Sequence, residues 1–141
     1  MKRPHSIAEI VRRSLEGTQR FDPACREFLD EWQFMEEAGR AAALAEEPAR
    51  LTAVQDAYLA ALAEHLALSE RLDVPHWSEA PFRFLNEPFF SGGLESLKAI
   101  LIAESPLAFR RRLIFISADE LSRPNRLGGK ERESSTAELD A

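Results

Sequence analysis

The sequence predicts an all-α protein, folded as a single compact bundle of five or six helices. Apolar residues recur at helical spacing in several segments that proline or glycine separates, and Ser-x-x-Glu patterns typical of helix starts precede some of them. The chain has 141 residues, of which 45% are hydrophobic and 30% charged, as in an ordinary globular domain. We assign residues 1–126 to this domain and expect residues 127–141, which are polar, to form a disordered tail.

The first two helices are predicted from their ends and their apolar stripes. Ser6 and Glu9 form a capping box, and Gly17 can end the helix that follows. Asp22 is expected to cap the second helix, with Pro23 at its first position. The apolar stripe of this helix consists of Cys25, Phe28, Leu29, Trp32 and Met35. Its opposite face is strongly acidic, which is typical of a surface in contact with water.

The longest predicted helix covers about residues 49–71, with Pro48 in its first turn. Its apolar residues lie on more than one side, which indicates a helix at the centre of the bundle. The Ala-rich stretch before it, residues 39–47, either continues the second helix or forms a separate one.

An aromatic-rich segment, residues 75–117, contains six of the nine phenylalanines. Within it we predict a short helix over residues 78–85, a loop over 88–93 and a helix over 94–104. Ser105 should cap a further helix, with Pro106 at its first position. The β-branched and aromatic run that follows predicts a short extended segment near residues 113–117.

Composition bounds the compartment and the partners. There is one cysteine, no run of apolar residues long enough to cross a membrane and no secretory signal, so we expect a cytoplasmic protein. The net charge is −6, but residues 1–21 and 105–126 each carry +3, while residues 22–70 carry −8. A protein that coats nucleic acid is usually basic over its whole domain.

The sequence offers few groups for catalysis or metal binding. The three histidines lack metal-ligand spacing, and there is no nucleophile elbow and no phosphate loop, so we predict no metal and no cofactor. His65 is interpreted as a histidine at the edge of the core. Cys25 is expected to be a buried inert thiol, although a place in the first turn of a helix would lower its pKa.

Three motifs carry a resemblance to a known family; they lie within residues 62–66, 74–77 and 104–112. They read Leu-Ala-Glu-His-Leu, Val-Pro-His-Trp and Glu-Ser-Pro-Leu-Ala-Phe-Arg-Arg-Arg. Over roughly residues 50–123 the chain resembles a family of small bacterial proteins of uncertain function. The resemblance implies a domain found alone or behind a helix-turn-helix of the phage-repressor type, and some members are antitoxin-like. The first 50 residues have no helix-turn-helix pattern, so a DNA-binding role of fused relatives does not carry over.

The function favoured at this point is a non-enzymatic protein-interaction or regulatory module that binds a protein partner or a second copy of itself. The candidate partner-binding residues are Phe89, Phe90, Arg110, Arg111 and Arg112, because arginine and aromatic side chains are the usual anchors of interfaces.

Three alternatives remain open. Phe89 and Phe90 either fill the core or form a docking patch. The three arginines either bind a partner or pair with Glu87, Glu95 or Glu104. The chain either binds a protein or binds nucleic acid, and the arginines for the second choice are Arg12, Arg13, Arg20 and Arg110–Arg112. A small enzyme that uses His65 or His76 is the least favoured function.

Overall fold

A computed structural model describes residues 2–92, 97–117 and 119–122. The protein is all-α, as predicted, and the described part contains six α-helices and two short strands. The helices are α1 (Ile7–Glu16), α2 (Phe21–Trp32), α3 (Glu37–Ala45), α4 (Ala53–Ser69), α5 (Lys98–Glu104) and α6 (Leu107–Arg110). Two 3-10 helices cover His76–Glu79 and Pro81–Arg83, and the strands are β1 (Phe89–Phe90) and β2 (Ile114–Phe115). The predicted tail, 127–141, lies outside the described residues.

Helix α1 has the predicted ends, with one difference at its start. The Ser6 hydroxyl accepts a hydrogen bond from the Glu9 N–H at 3.0 Å. Glu9 reaches back to the His5 N–H at 2.8 Å, one residue before the Ser6 N–H that a capping box would use. Gly17 ends the helix in the left-handed region, at φ +77°, which glycine adopts without steric cost.

Helix α2 begins before the position that the sequence indicated. Arg20, in an extended conformation, precedes the first helical residue, and Asp22 and Pro23 are the second and third residues of the helix. Pro23 is tolerated there because the first-turn N–H groups have no partner within a helix. The predicted apolar stripe is confirmed: Cys25, Phe28, Leu29 and Trp32 are buried, and Met35 packs against them.

The Ala-rich stretch forms a separate helix, α3, after a break at residues 33–36. Arg40 holds α3 against the end of α2, because its Nε and Nη2 donate to the Trp32 carbonyl at 3.1 and 3.0 Å. The same guanidinium lies 5.1 Å from the centre of the Trp32 ring. The contact combines hydrogen bonding with a cation–π interaction.

Helix α4 is the central helix, but its predicted start at Pro48 is wrong. The helix begins after Thr52, which forms a complete capping box with Gln55. Pro48 stays outside because the chain before α4 is held by other contacts: the Pro48 carbonyl accepts from Arg83 Nη2 at 3.0 Å. Nine residues of α4 are buried, on several sides, and most are alanine or leucine. The bundle therefore packs around α4.

The predicted short helix over 78–85 is replaced by the two 3-10 helices, which lie against α4, and the second of them ends at Arg83. Trp77 anchors the first to α3, since its Nε1 donates to the Leu44 carbonyl at 2.8 Å. Arg83 of the second is fully buried and lies over the rings of Trp77 and Phe82. A buried arginine and an indole thus lock this segment onto the core.

The predicted loop at 88–93 contains strand β1, which pairs in parallel with the extended segment β2. Phe89 is opposite Ile114, and Phe90 is opposite Phe115. The prediction that Ser105 caps α6 is wrong, because Pro106 occupies the cap position. The Ser105 hydroxyl instead accepts from the Ile116 N–H at 2.8 Å and donates to the Leu101 carbonyl at 2.6 Å. It fixes the end of β2 to the end of α5.

Candidate functional site

The three consecutive arginines that the sequence proposed for partner binding have three different environments. Arg110 is exposed, and its guanidinium contacts no carboxylate among the described residues. Arg111 is partly exposed and forms ion pairs with Glu64 and Glu79, each at 3.0 Å. Arg112 is fully buried. The structure therefore does not present the three as one surface.

Arg112 is held entirely from inside the fold. Its Nη1 donates to Glu64 Oε1 at 2.6 Å and to the Ala108 carbonyl at 2.8 Å, and its Nη2 donates to the Ser78 carbonyl at 2.8 Å. Its guanidinium also lies 4.5 Å from the centre of the Phe84 ring. Burial lowers the pKa of Arg112, and the hydrogen bond and charge of Glu64 oppose that effect. This arginine joins α6 to α4 and to the first 3-10 helix.

The carboxylates that pair with Arg111 and Arg112 are not those expected from sequence. Glu87 and Glu104 were expected as partners, whereas Glu64 and Glu79 hold both arginines; Glu95 lies outside the described residues. Glu64 is 48 positions from Arg112. No local spacing rule connects residues so far apart, so only the folded chain identifies the pair.

The two candidate phenylalanines point to opposite sides of β1, as successive strand residues do. Phe90 stacks on Phe115, with ring centres 4.9 Å apart, and Lys98 lies over the Phe90 ring. Phe89 is 41% exposed and lines a cleft on the other side of the strand. Phe90 thus has a packing role, and Phe89 remains available to a ligand.

The first candidate surface lies on α5 and the start of α6, and we call it the α5 surface. It consists of the exposed apolar residues Leu97, Ile100, Ile102 and Leu107. Other large exposed apolar side chains, such as Leu15, Phe34 and Leu68, are far apart in the sequence. Only Leu101 anchors α5 in the core. The α5 surface therefore concentrates exposed apolar groups within eleven residues of chain.

The second candidate surface is a cleft of about 570 Å³ between the start of α2 and the start of α4. Its apolar part is formed by Phe21, Cys25, Leu29, Tyr58 and Phe89. Its polar lining includes Asp22, Arg26, Thr52, Gln55, Ser91 and Glu120. A second cavity adjoins it and shares Phe21, Asp22, Arg26 and Gln55, and Arg20 lies beside it. The two cavities form one groove, which we call the α2–α4 groove.

Cys25 lies in this groove, but its environment differs from that of a reactive thiol. The side chain is buried and forms no disulfide. Burial, followed by the nearby charge of Asp22, raises the pKa of Cys25 far above its ordinary value. The lowered pKa that a first-turn position predicts is therefore wrong, and the predicted burial of the thiol is confirmed; its inertness stays a prediction.

His65 and His76, the two histidines considered for catalysis, have no carboxylate partner in the described part of the chain. His65 is half-buried, its ring packs edge-on to Phe109 at 6.2 Å, and burial lowers its pKa. His76 is exposed. In residues 2–92, 97–117 and 119–122, no three His, Cys, Asp or Glu side chains are placed to hold a metal ion together.

Four of the six arginines proposed for nucleic-acid binding are already paired: Arg111 and Arg112, as described above, and Arg12 and Arg13. Arg12 contacts Glu46 at 3.0 Å, and Arg13 contacts Glu9 at 2.8 Å. Arg20 and Arg110 are exposed without an ion pair in the described residues. The basic groups therefore do not form the continuous stripe that phosphate binding requires.

No protein-family model, curated protein or solved structure matches this chain. In the part of the chain that the structure describes, every helix is too short or too polar to cross a membrane. The resemblance carried by the three sequence motifs stays an expectation.

Proposed function

We propose that this chain is a non-enzymatic protein-interaction module with a regulatory role in the cytoplasm, and that the α5 surface is its contact surface. The observation that carries the proposal is the exposure of apolar side chains on two sides of α5. The regulatory, antitoxin-like part of the proposal rests on the sequence resemblance. The protein-binding part rests on the following contacts and exposures.

Helix α5 contains five consecutive apolar residues, 99–103, but buries only the central one. Leu101 is 4% exposed, whereas Ile100 and Ile102 are 50% and 46% exposed. Successive helical residues are about 100° apart, so Ile100 and Ile102 lie on different sides of the helix. A helix at the surface of a monomer normally keeps its outer side polar, and an apolar outer side is a feature of helices that another chain covers.

The neighbouring residues extend this surface and add a charge. Leu107 is exposed on α6, and Arg110 lies three residues later, on the same side of the helix. Arginine is enriched among the residues that contribute most of the binding energy of an interface. The α5 surface with Arg110 therefore fits a partner that offers apolar side chains next to a carboxylate.

Nucleic-acid binding is the alternative, and the ion pairs count against it. Arg12, Arg13, Arg111 and Arg112 are each neutralised by a carboxylate. A phosphate would have to displace these carboxylates, and apolar residues such as Ile100 would contribute nothing to a contact with the phosphate backbone.

The test is a pull-down with the tagged chain from a lysate of its native host, after nuclease treatment, with bound proteins identified by mass spectrometry. Ile100→Glu places a charge on the α5 surface, and Leu68→Glu places the same charge on an exposed leucine of α4 as the matched control. We expect a stoichiometric protein partner that binds the native chain and the control but not Ile100→Glu. Circular dichroism checks that both variants fold.

Two outcomes would overturn the proposed contact surface. Equal loss of the partner in both variants would mean that the α5 surface is not the contact. Recovery of bound material only without nuclease would favour nucleic acid. Light scattering of the purified chain separates the two protein-binding arrangements: a dimer that Ile100→Glu dissociates would make the partner a second copy of this chain.

A further inference from the structure

We infer that the α2–α4 groove is a second binding site, and that it takes an acidic peptide segment of a partner protein with one apolar side chain. The site is distinct from the α5 surface and does not depend on the function proposed for it. The inference rests on the shape of the groove, on its apolar lining and on two arginines that have no ion pair.

The first cavity of the groove has the lining of a pocket for an apolar side chain. Phe21 and Tyr58 form an edge-to-face aromatic pair, with ring centres 6.3 Å apart. Phe89 completes the aromatic lining, and Cys25 and Leu29 lie behind it, nearly buried. The volume of about 570 Å³ lies within the range of known ligand pockets, which are mostly apolar with a few polar groups.

Two arginines line the groove: Arg20 lines the second cavity, and Arg26 lines both. Both are exposed, and neither guanidinium contacts a carboxylate in the described part of the chain. Most of the other described arginines do form ion pairs: Arg3, Arg12, Arg13, Arg40, Arg50, Arg83, Arg111 and Arg112. Two unpaired arginines beside one groove provide a site for carboxylates from a ligand.

The carboxylates of the groove fix the direction of the ligand. Glu120 lies at the Phe89 end, where its Oε1 accepts from the Ser91 hydroxyl at 2.8 Å. Asp22 and Arg26 line both cavities, so the two ends differ in Glu120, which lines only the first, and Arg20, which lines only the second. An acidic group of the ligand is therefore repelled from the Phe89 end and attracted to the Arg20 end, so the apolar side chain enters the aromatic cavity.

The length of the groove fits a peptide. Arg20 directly precedes α2 and Arg26 is the sixth residue of that helix. Six helical residues span about 9 Å, so the two backbones are roughly that far apart along the helix axis. About three residues of extended peptide cover that distance. Gln55 lines both cavities, and its amide group can bond to a peptide backbone between them. The ligand is therefore a short extended segment with an apolar residue beside acidic ones.

The probe for the test is a pair of fluorescein-labelled nine-residue peptides. Each has a central leucine, flanked by aspartates in one and by lysines in the other. Binding to the full chain is measured by fluorescence anisotropy at low ionic strength. The net charge of −6 attracts the lysine peptide to the protein as a whole, so a preference for the aspartate peptide reports local recognition. We expect the aspartate peptide to bind roughly tenfold more tightly.

Variants of the groove make the test specific. The double substitution Arg20→Glu with Arg26→Glu should reverse the preference, and the double substitution to glutamine should remove it. Arg71→Glu, at another exposed arginine without an ion pair, is the matched control and should keep the native preference. Ile100→Glu should also bind the aspartate peptide normally, which separates a failure of this site from a failure of the α5 surface.

Several results would overturn the inference. One is an aspartate peptide that fails to bind, or that binds no better than the lysine peptide. Another is an equal effect of Arg71→Glu and of the groove variants. Replacing the central leucine of the aspartate peptide by glycine should weaken binding; unchanged binding would mean that the arginines attract acidic chains without use of the aromatic cavity.

Discussion

Arg112 and Glu64 form a close ion pair inside the fold, with Arg112 Nη1 at 2.6 Å from Glu64 Oε1. The Arg112 side chain is fully buried, and that of Glu64 is 12% exposed. The same carboxylate oxygen accepts from Arg111 at 3.0 Å. One carboxylate of α4 therefore pairs with two adjacent arginines after α6, and Arg112, which reads as part of a basic surface in the sequence, is instead part of the core.

Removal of this carboxylate should destabilise the protein strongly. Glu64→Ala leaves the buried Arg112 without its main counter-charge, and we expect a loss of about 3–5 kcal/mol in the free energy of unfolding. Urea denaturation followed by circular dichroism measures it. Glu79→Ala is the control. The Glu79 side chain is 48% exposed and lies farther from Arg112, at 3.7 Å, so this substitution should lower the free energy of unfolding by less than about 1 kcal/mol. Similar losses in both variants would contradict a specific role for Glu64.

His65 should make the stability depend on pH. Burial lowers its pKa in the folded state below the ordinary value of 6.5, so the unfolded state binds the proton more readily. The stabilising contribution is complete above pH 6.5 and decreases as the pH falls from there toward the folded-state pKa. In His65→Gln the free energy of unfolding should decrease less between pH 7 and pH 5 than in the native chain. Urea denaturation at each pH measures the difference.

His76→Gln, at an exposed histidine, is the matched control for this titration. It should keep the slope of the native protein between pH 7 and pH 5. A slope that His65→Gln leaves unchanged would show that other groups cause the pH dependence in this range.

Cys25 should be protected from alkylation in the folded protein. The thiol is buried, and burial raises its pKa, so little of the reactive thiolate exists near pH 8. We expect iodoacetamide to label the native chain slowly, and to label the chain in concentrated urea rapidly and completely. Mass spectrometry measures the labelled fraction over time. Rapid labelling without urea would mean that the α2–α4 groove opens far enough to expose Cys25.

Local features of the fold were predictable from the sequence, because they depend on neighbouring residues. The Ser6 cap, the Gly17 end and the buried stripe of α2 follow from spacing and backbone preference. The start of α4 could also be predicted from the sequence, since Thr52 and Gln55 have capping-box spacing. The predicted start was wrong because it was placed at Pro48.

Features that join distant parts of the chain were not predictable. The extended segment near 113–117 was expected, but its partner β1, some 25 residues earlier, lies in a stretch that reads as a loop. The burial of Arg112 likewise depends on a distant residue, Glu64, which is 48 positions earlier in the chain. The α2–α4 groove has no sequence signal, because Phe21, Tyr58 and Phe89 come from three separate elements. Hydrogen bonding and packing between elements decide these features, and sequence spacing does not encode them.

Replacement of Arg71 by glycine should stabilise the protein. Arg71 follows the last turn of α4 with φ +58°, and the next residue, Leu72, donates its N–H to the Ala67 carbonyl at 2.8 Å. This is the hydrogen bond of a Schellman motif, whose left-handed position is usually glycine. The left-handed conformation costs residues other than glycine about 1–2 kcal/mol. Glycine avoids this cost, but its greater conformational freedom in the unfolded state offsets part of the gain in stability.

We therefore expect Arg71→Gly to raise the free energy of unfolding by about 0.5–1 kcal/mol in urea denaturation. Arg71→Ala removes the same exposed side chain but keeps the Cβ, so it is the matched control and should give no such increase. Equal stabilisation by both substitutions would attribute the effect to the lost arginine side chain, and a decrease with glycine would show that Arg71 makes a contact that outweighs its backbone strain.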